Sequence, residues 1–294
     1  MLFFIGSLNS SCKKNANSVQ PVMPVSTIPV TVTLRHVLPA VLKESSGLCF
    51  TDGNLWSFGD SDNPNSIYKI DTLTSAILQI VTVANYPNID WEDITADSLY
   101  IYVGDMGNND GSRTNLKILR INKTDITTTN SPVAVNAEAI NFSYSDQTDF
   151  TANSNTNFDC EAIAAIGNNL YAFTKDRGDL QTRCYKLSKD PGTYVVTPIS
   201  SFNTNGKITA AAYNTLTGEL ALLGYMNQNK NSFIWFFSGY SNDGFFAASA
   251  TRVTIGSPSV DWQTEGLDYS STGRLMMSCE TSTSNVASLY TLQQ

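Results

Sequence analysis

The stretch NIDWEDI, residues 88–94, sets Asp90, Glu92 and Asp93 around a tryptophan at the head of a strand-like segment. Strand interiors disfavour Asp and Glu, and a buried carboxylate is costly without a partner. The arrangement recurs along the chain. The heads KESSGLCF, DWEDITAD, DCEAIAAI, KITAAAYN and TEGLDYSS each lead into a strand rich in Leu, Tyr or Trp. Glu92, Glu161 and Glu265 hold matching places; Glu44 or Ser46 stands in the first unit and Thr209 in the fourth. If these positions converge, each pair of carboxylates ~6 Å apart repels by roughly 3 kcal/mol at an effective dielectric near ~20. Protons or a cation must then neutralise them. A hard divalent ion suits the residue types, since Ca²⁺ accepts carboxylates, hydroxyls, carbonyls and water together. With no Cys or His at these places, zinc is disfavoured. The competing reading has the glutamates capping backbone N–H groups around a water-filled channel. Asp90 and Asp93 are expected to alternate away from that channel or to bond nearby loops.

A second set of polar residues follows the second strand of each unit: Asp60, Asp105, Lys175, Tyr225 and Glu280, with Arg113, Arg177, Arg183 and Lys230 close in sequence. Charged groups gathered at one end of a channel are the expected place for a ligand. Asp60, Asp105, Lys175, Arg177 and Glu280 are therefore the ligand-binding candidates. Lys175 and Arg177, in FTKDRGDLQTR, are the pair suited to steadying a phosphoryl group. Arg113 and Lys230 read better as solvated loop charge. GDSDNPNS and GDMGNNDG resemble calcium loops only faintly and read as turns. His36 is the sole histidine, which argues against Ser-His-Asp catalysis and histidine metal sites. No G-x-S-x-G element and no phosphate-cradling P-loop occurs.

What must hold these residues is a repeat. Units of about fifty residues, each with three or four strands, are the signature of β-propeller blades. Five units are visible, and the first strand of each blade lines the central channel. The fifth unit ends at ASLYTLQQ, one strand short. VTVTLRHV, residues 30–37, precedes the first unit and is expected to supply that outer strand, closing the ring and hiding an open edge. The fold class is thus all-β, a five-bladed propeller. A six-bladed ring would need a degenerate blade within residues 122–158, where AEAINFSY offers one strand.

The 294 residues carry a net charge of −8, which disfavours nucleic acid or an anionic membrane surface as partner. No apolar run is long enough for a membrane helix. The leader MLFFIGSLNSSCKK resembles the end of a bacterial lipoprotein signal, with Cys12 as the lipidated residue. This divides the chain into a signal remnant (1–12), a flexible tether (13–29) and one propeller domain (30–294). The expected location is the bacterial cell envelope, at the outer membrane or cell surface, touching the membrane only through the lipid; a monomer is expected. Cys49, Cys160, Cys184 and Cys279 show no zinc spacing. They fit either disulfides or buried free thiols.

The elements ESSGLCFTDGNLWSFGD, DWEDI, DCEAI, KITAAAY and TEGLDY resemble those of the soluble calcium-activated nucleotidases, or apyrases, across most of residues 40–294. That resemblance implies a five-bladed propeller with Ca²⁺ in its central channel, held by Ser46, Glu92, Glu161, Thr209 and Glu265. Its more basic loops are reduced here, and GDMGNND stands in place of the second. WEDI followed by GDMGNN also looks like a group of uncharacterised bacterial surface lipoprotein propellers, some related to phytase-like and esterase-like forms. Three functions follow. One is a ligand-binding propeller with a channel cation, for a small molecule or a surface ligand. The second is a calcium-dependent nucleotide or phosphoester hydrolase resembling apyrase. The third is an esterase- or lactonase-like propeller using the metal as Lewis acid.

Overall fold

Thr51 and Asn54 pair across a two-residue turn whose residues, Asp52 and Gly53, both have positive φ. Asp-Gly favours this conformation, and its twist matches the strands it joins. Such hairpins, repeated, build the molecule. The computed structural model describes residues 30–127, 131–226, 231–255 and 262–293. Cys12 and Lys230 lie outside them.

The first strand, β1 (Thr31–Val37), is set aside for later use by the ring. Blade one then begins with β2 (Ser45–Thr51), β3 (Asn54–Gly59), β4 (Ser66–Ile70) and β5 (Ile77–Val83). Blade two opens with β6 (Trp91–Ala96), β7 (Tyr100–Asp105) and β8 (Lys117–Asn122). The chain next sends β9 (Val133–Val135) back to pair parallel with β5, then completes blade two with β10 (Ala137–Tyr144). Blade three starts with β11 (Cys160–Ile166), β12 (Asn169–Thr174) and β13 (Thr182–Ser188). It lends β14 (Gly192–Val196) to the edge of β10 and ends in β15 (Pro198–Phe202). Blade four is β16 (Lys207–Asn214), β17 (Glu219–Tyr225), β18 (Ser232–Ser238) and β19 (Ser249–Thr254). Blade five is β20 (Thr264–Tyr269), β21 (Leu275–Cys279), β22 (Ser288–Gln293) and, outermost, β1.

The ring therefore has five blades, closed by the N-terminal strand as expected, with His36 on it opposite Leu289. The segment considered for a sixth blade supplies β9 and β10, outer strands of blades one and two. Five hydrophobic clusters fill the wedges between neighbouring blades. Trp91 is fully buried between blades one and two, edge-on to Phe58 at 5.6 Å. Trp56, Tyr171 and Trp235 are core residues of these wedges. Cys49, Cys160, Cys184 and Cys279 are buried free thiols.

Polar staples join the inner strands where they meet. Asp268 accepts a hydrogen bond from Phe50 N–H at 2.6 Å, linking blade five to blade one. Thr95, three residues after Glu92 as Asp268 is after Glu265, accepts from Ala165 N–H of blade three at 3.2 Å. Asp93 is fully buried and accepts from Ile163 N–H at 2.8 Å and Ala211 N–H at 3.4 Å, tying blade two to blades three and four. Asp93 thus faces the other inner strands rather than turning away from them.

Candidate functional site

Every inner strand carries one irregularity, and it falls at the same place. The register between first and second strand slips at Ser46, Glu92, Glu161, Thr209 and Glu265. A β-bulge leaves one residue unpaired and re-aims its side chain. The five residues singled out from the repeat are these bulge residues, and all five are buried. Three acids and two hydroxyls are thereby presented at one level of the ring.

Two residues before each bulge, a backbone carbonyl receives an N–H from just past the second strand. Asp60 donates to Glu44 at 2.9 Å, Met106 to Asp90 at 3.1 Å, Lys175 to Asp159 at 2.8 Å and Glu280 to Gln263 at 2.8 Å. In blade four the matching pair is Lys207 and Tyr225. The second ring is therefore Asp60, Met106, Lys175, Tyr225 and Glu280. Asp105 belongs one residue earlier, opposite Trp91. It is buried and engaged by Arg113 at 2.8 Å and Lys117 at 3.2 Å, within its own blade. Of the ligand-binding candidates, Asp60, Lys175, Arg177 and Glu280 meet in one cavity and Asp105 does not line it.

That cavity, of about 250 Å³, is walled by the bulge residues Ser46, Glu92, Glu161 and Glu265 and by Arg177, Asn109, Gln263 and every second-ring residue except Met106, which is buried in the core between blades two and three. Five carboxylates share it with two cations, and the cations are not evenly spread. Lys175 forms a buried ion pair with Glu161 Oε2, and its ammonium lies 5.3 Å from the Tyr225 ring centre. Burial alone would lower the Lys175 pKa. Glu161, then Tyr225, Glu265 and Asp159, overcome this and hold it well above its ordinary value. Arg177 bonds Asp159 Oδ2 at 2.8 Å, approaches Glu161 Oε1 at 3.4 Å and bonds the Asn109 side chain. Blade three is thus neutralised from within.

The side formed by blades one and two differs. One carboxylate oxygen from each of Asp60, Asp90 and Glu92 lies within 4.8 Å of the others. Glu92 is 6 % exposed, and its carboxylate accepts no hydrogen bond and joins no ion pair among the described residues. Burial, then Glu161, Asp60 and Asp90, push its pKa well above the usual carboxylate range. Burial and Asp60 raise Asp90 to about 6, against the pull of Arg113, whose Nη1 lies 3.8 Å away. Burial raises Asp60 as well. Burial, then Glu265 and Asp60, raise Glu280 to about 8; Gln263 donates to its carboxylate at 2.6 Å.

The donor set suits a hard cation on this side. Two oxygens each ~2.4 Å from one Ca²⁺ stand at most about 4.8 Å apart, which the spacing of Asp60, Asp90 and Glu92 satisfies. The Ser46 hydroxyl donates its proton to the Glu92 carbonyl at 2.9 Å, and that of Thr209 to the Thr264 carbonyl at 2.6 Å. Both keep their lone pairs. Asp90 was expected to turn from the channel or to bond a nearby loop; its carbonyl does accept from Met106 and Gly107 of the loop after β7, while its carboxylate joins the cluster. Strand side chains repeat every two residues, so Asp90 shares a side with Glu92. The bulge then brings Asp93 to the inner strands too. Asp159, Asn109 and Gln263 are further site residues that the motifs did not flag. The signal for the first and last was the polar residue two places before each bulge residue.

No known family model matches the chain, and no curated protein does. Among solved structures it is similar to a glucose dehydrogenase, at TM-score 0.50 and 8% identity, over 90% of this chain and 99% of that one. It is similar to the soluble aldose sugar dehydrogenase of Escherichia coli, in its apo form, at TM-score 0.50 and 10% identity, over 90% and 99% of the two chains. It is also similar to an exo-β-1,3-galactanase of Phanerochaete chrysosporium with galactose, at TM-score 0.50 and 10% identity, over 85% of this chain and 59% of that one. At such identities the likeness is one of fold, and the fold is the β-propeller.

Proposed function

We propose that this chain is a cation-binding propeller whose channel takes one Ca²⁺ on the side of blades one and two. The carboxylates of Glu92, Asp60 and Asp90 are the ligands, with Ser46 beside them. The observation that carries the reading is Glu92: a buried carboxylate that has no hydrogen bond or ion pair among the described residues and lines the cavity beside two more. Burying an uncompensated charge is costly, and a divalent ion removes that cost at the folded ring only. Titration calorimetry with Ca²⁺ should give one site per chain, and Ca²⁺ should raise the melting temperature by mass action. Glu92→Gln should abolish both effects. A parent protein with no calorimetric signal and no thermal response ends the proposal.

A second reading is a calcium-dependent phosphoester hydrolase resembling apyrase. Lys175 and Arg177 favour it, because they line the same cavity as Glu92. When bound, the metal would supply charge stabilisation and an activated water. The chain's own part is to hold a phosphate against Lys175 and Arg177, which must first loosen from Glu161. Phosphate release from nucleoside diphosphates, with and without chelator, tests this reading; none above background leaves the binding function alone. The proposal places the molecule at the cell envelope, lipidated on Cys12 and tethered through residues 13–29. In the fold, β1 leaves from the outer rim of blade five, away from the channel. Cys12→Ala should move the protein from the membrane to the soluble fraction.

A further inference from the structure

Gly107 follows the second-ring residue of blade two. The equivalent residues of the other blades are Ser61, Asp176, Met226 and Thr281, all with side chains. The φ of Gly107 lies outside the left-handed region, so its backbone shape does not call for glycine. Space does. A Cβ at this position would overlap Glu92 Oε1 and stand 2.5 Å from Asp90 Cγ and Oδ2. Nor can the backbone retreat freely. Gly107 N–H donates to the Asp90 carbonyl at 3.2 Å, and its own carbonyl accepts from Arg113 Nη1 at 2.6 Å. The next residue, Asn108, donates its N–H to Asp159 at 2.8 Å, fastening the loop to blade three.

We infer that Gly107 is a positioning residue for the cation site: its missing side chain lets the Glu92 and Asp90 carboxylates share one point. This rests on the cation-binding reading. The backbone is pinned and the obstructing atoms are the ends of side chains. An added methyl therefore displaces the two carboxylates rather than the loop. That motion separates like charges, so the metal-free fold loses little.

The test is titration calorimetry with Ca²⁺ on the full chain, paired with melting in chelator. Gly107→Ala should weaken calcium binding by about tenfold or more, as changes to groups that orient metal ligands do. Its melting temperature in chelator should stay within about 2 °C of the parent. Unchanged affinity overturns the inference, as does an equal fall of melting temperature with and without calcium. A second comparison guards against misfolding. Glu92→Asp withdraws the carboxylate by one methylene, so adding Gly107→Ala to it should cost less affinity than in the parent. An equal cost also overturns the inference. A parent that binds no calcium removes the reading beneath it. A parent that binds, with Gly107→Ala binding as well, removes only the role of Gly107.

Discussion

Glu161 and Glu92 hold the same place in adjacent blades, at the same bulge, with the same side chain. Their surroundings are opposite. Glu161 is met by Lys175 and Arg177, whereas Glu92 faces Asp60 and Asp90. The repeat thus delivers five equivalent positions, and the loops decide what each does. Where blade three places Lys175, blade one places Asp60, blade two Met106 and blade five Glu280. One half of the ring is a finished ion pair. The other is a charge deficit that only a proton or a foreign cation can settle.

The largest expected effect comes from breaking the finished half. Removing one partner of a buried pair leaves an uncompensated charge and costs about 3 kcal/mol or more. Lys175→Met should lower stability by that amount in urea unfolding, and added Ca²⁺ should recover part of it by serving Glu161. If Lys175→Met is neutral, the two halves do not differ as described.

The next effect is on pH. Asp90 and Glu280 are raised to about 6 and about 8, from ordinary values of 3.8 and 4.5. The folded state therefore keeps protons that the unfolded chain has already released. Their contribution is full below the unfolded values and is lost as pH rises through about 6 and then about 8. Without calcium, stability should fall across that window by on the order of 2 kcal/mol. With saturating calcium the fall should shrink, since the ion replaces the protons. A chelated protein that grows more stable from pH 5 to pH 8 would contradict the unsettled half of the comparison.

Glu92→Gln is smaller and opposite in sign. In chelator it replaces a buried carboxyl whose ionisation is opposed by burial and by Glu161, Asp60 and Asp90, so where pH forces that ionisation it should raise stability by about 1 kcal/mol. Glu161→Gln should lower stability, because it strands Lys175. Opposite signs at equivalent positions, read by thermal melting in chelator, are the sharpest form of the contrast.

Much of this was legible in the sequence. The five heads, the ring they form and the closing strand all follow from a repeat with polar residues at fixed places. What was not legible depends on where strands end, which strands are exchanged and which side chains meet. The Asp105 position is one residue early because the second strand of blade two ends at Asp105, so Met106 takes the ring place. The exchange of β9 and β14 between blades leaves no periodic trace, because each is a short strand in a connection. The Lys175–Glu161 pair joins a residue of β11 to one just past the end of β12, and a residue list does not say which acid a lysine meets. Gly107 looked like a turn glycine until the carboxylates beside it were placed.

The smallest effect decides where in the ring a cation sits. The resemblance to apyrases implies a centred ion, touching Ser46 and Thr209 alike. The charge distribution implies an ion displaced toward blades one and two. Both hydroxyls bond a neighbouring carbonyl, Ser46 that of Glu92 and Thr209 that of Thr264. Removing either should cost about 1 kcal/mol of stability in the chelated protein, so the two variants are matched structurally. They differ in what they border, because Ser46 lies beside Glu92 and Thr209 beside blade five. For a displaced ion, Ser46→Ala should weaken calcium binding several-fold, by roughly 1 kcal/mol, and Thr209→Val should leave it unchanged. For a centred ion the two losses should be equal. Calorimetry on this pair separates the geometries, and equal losses would mean that Glu161 gives up Lys175 when calcium arrives.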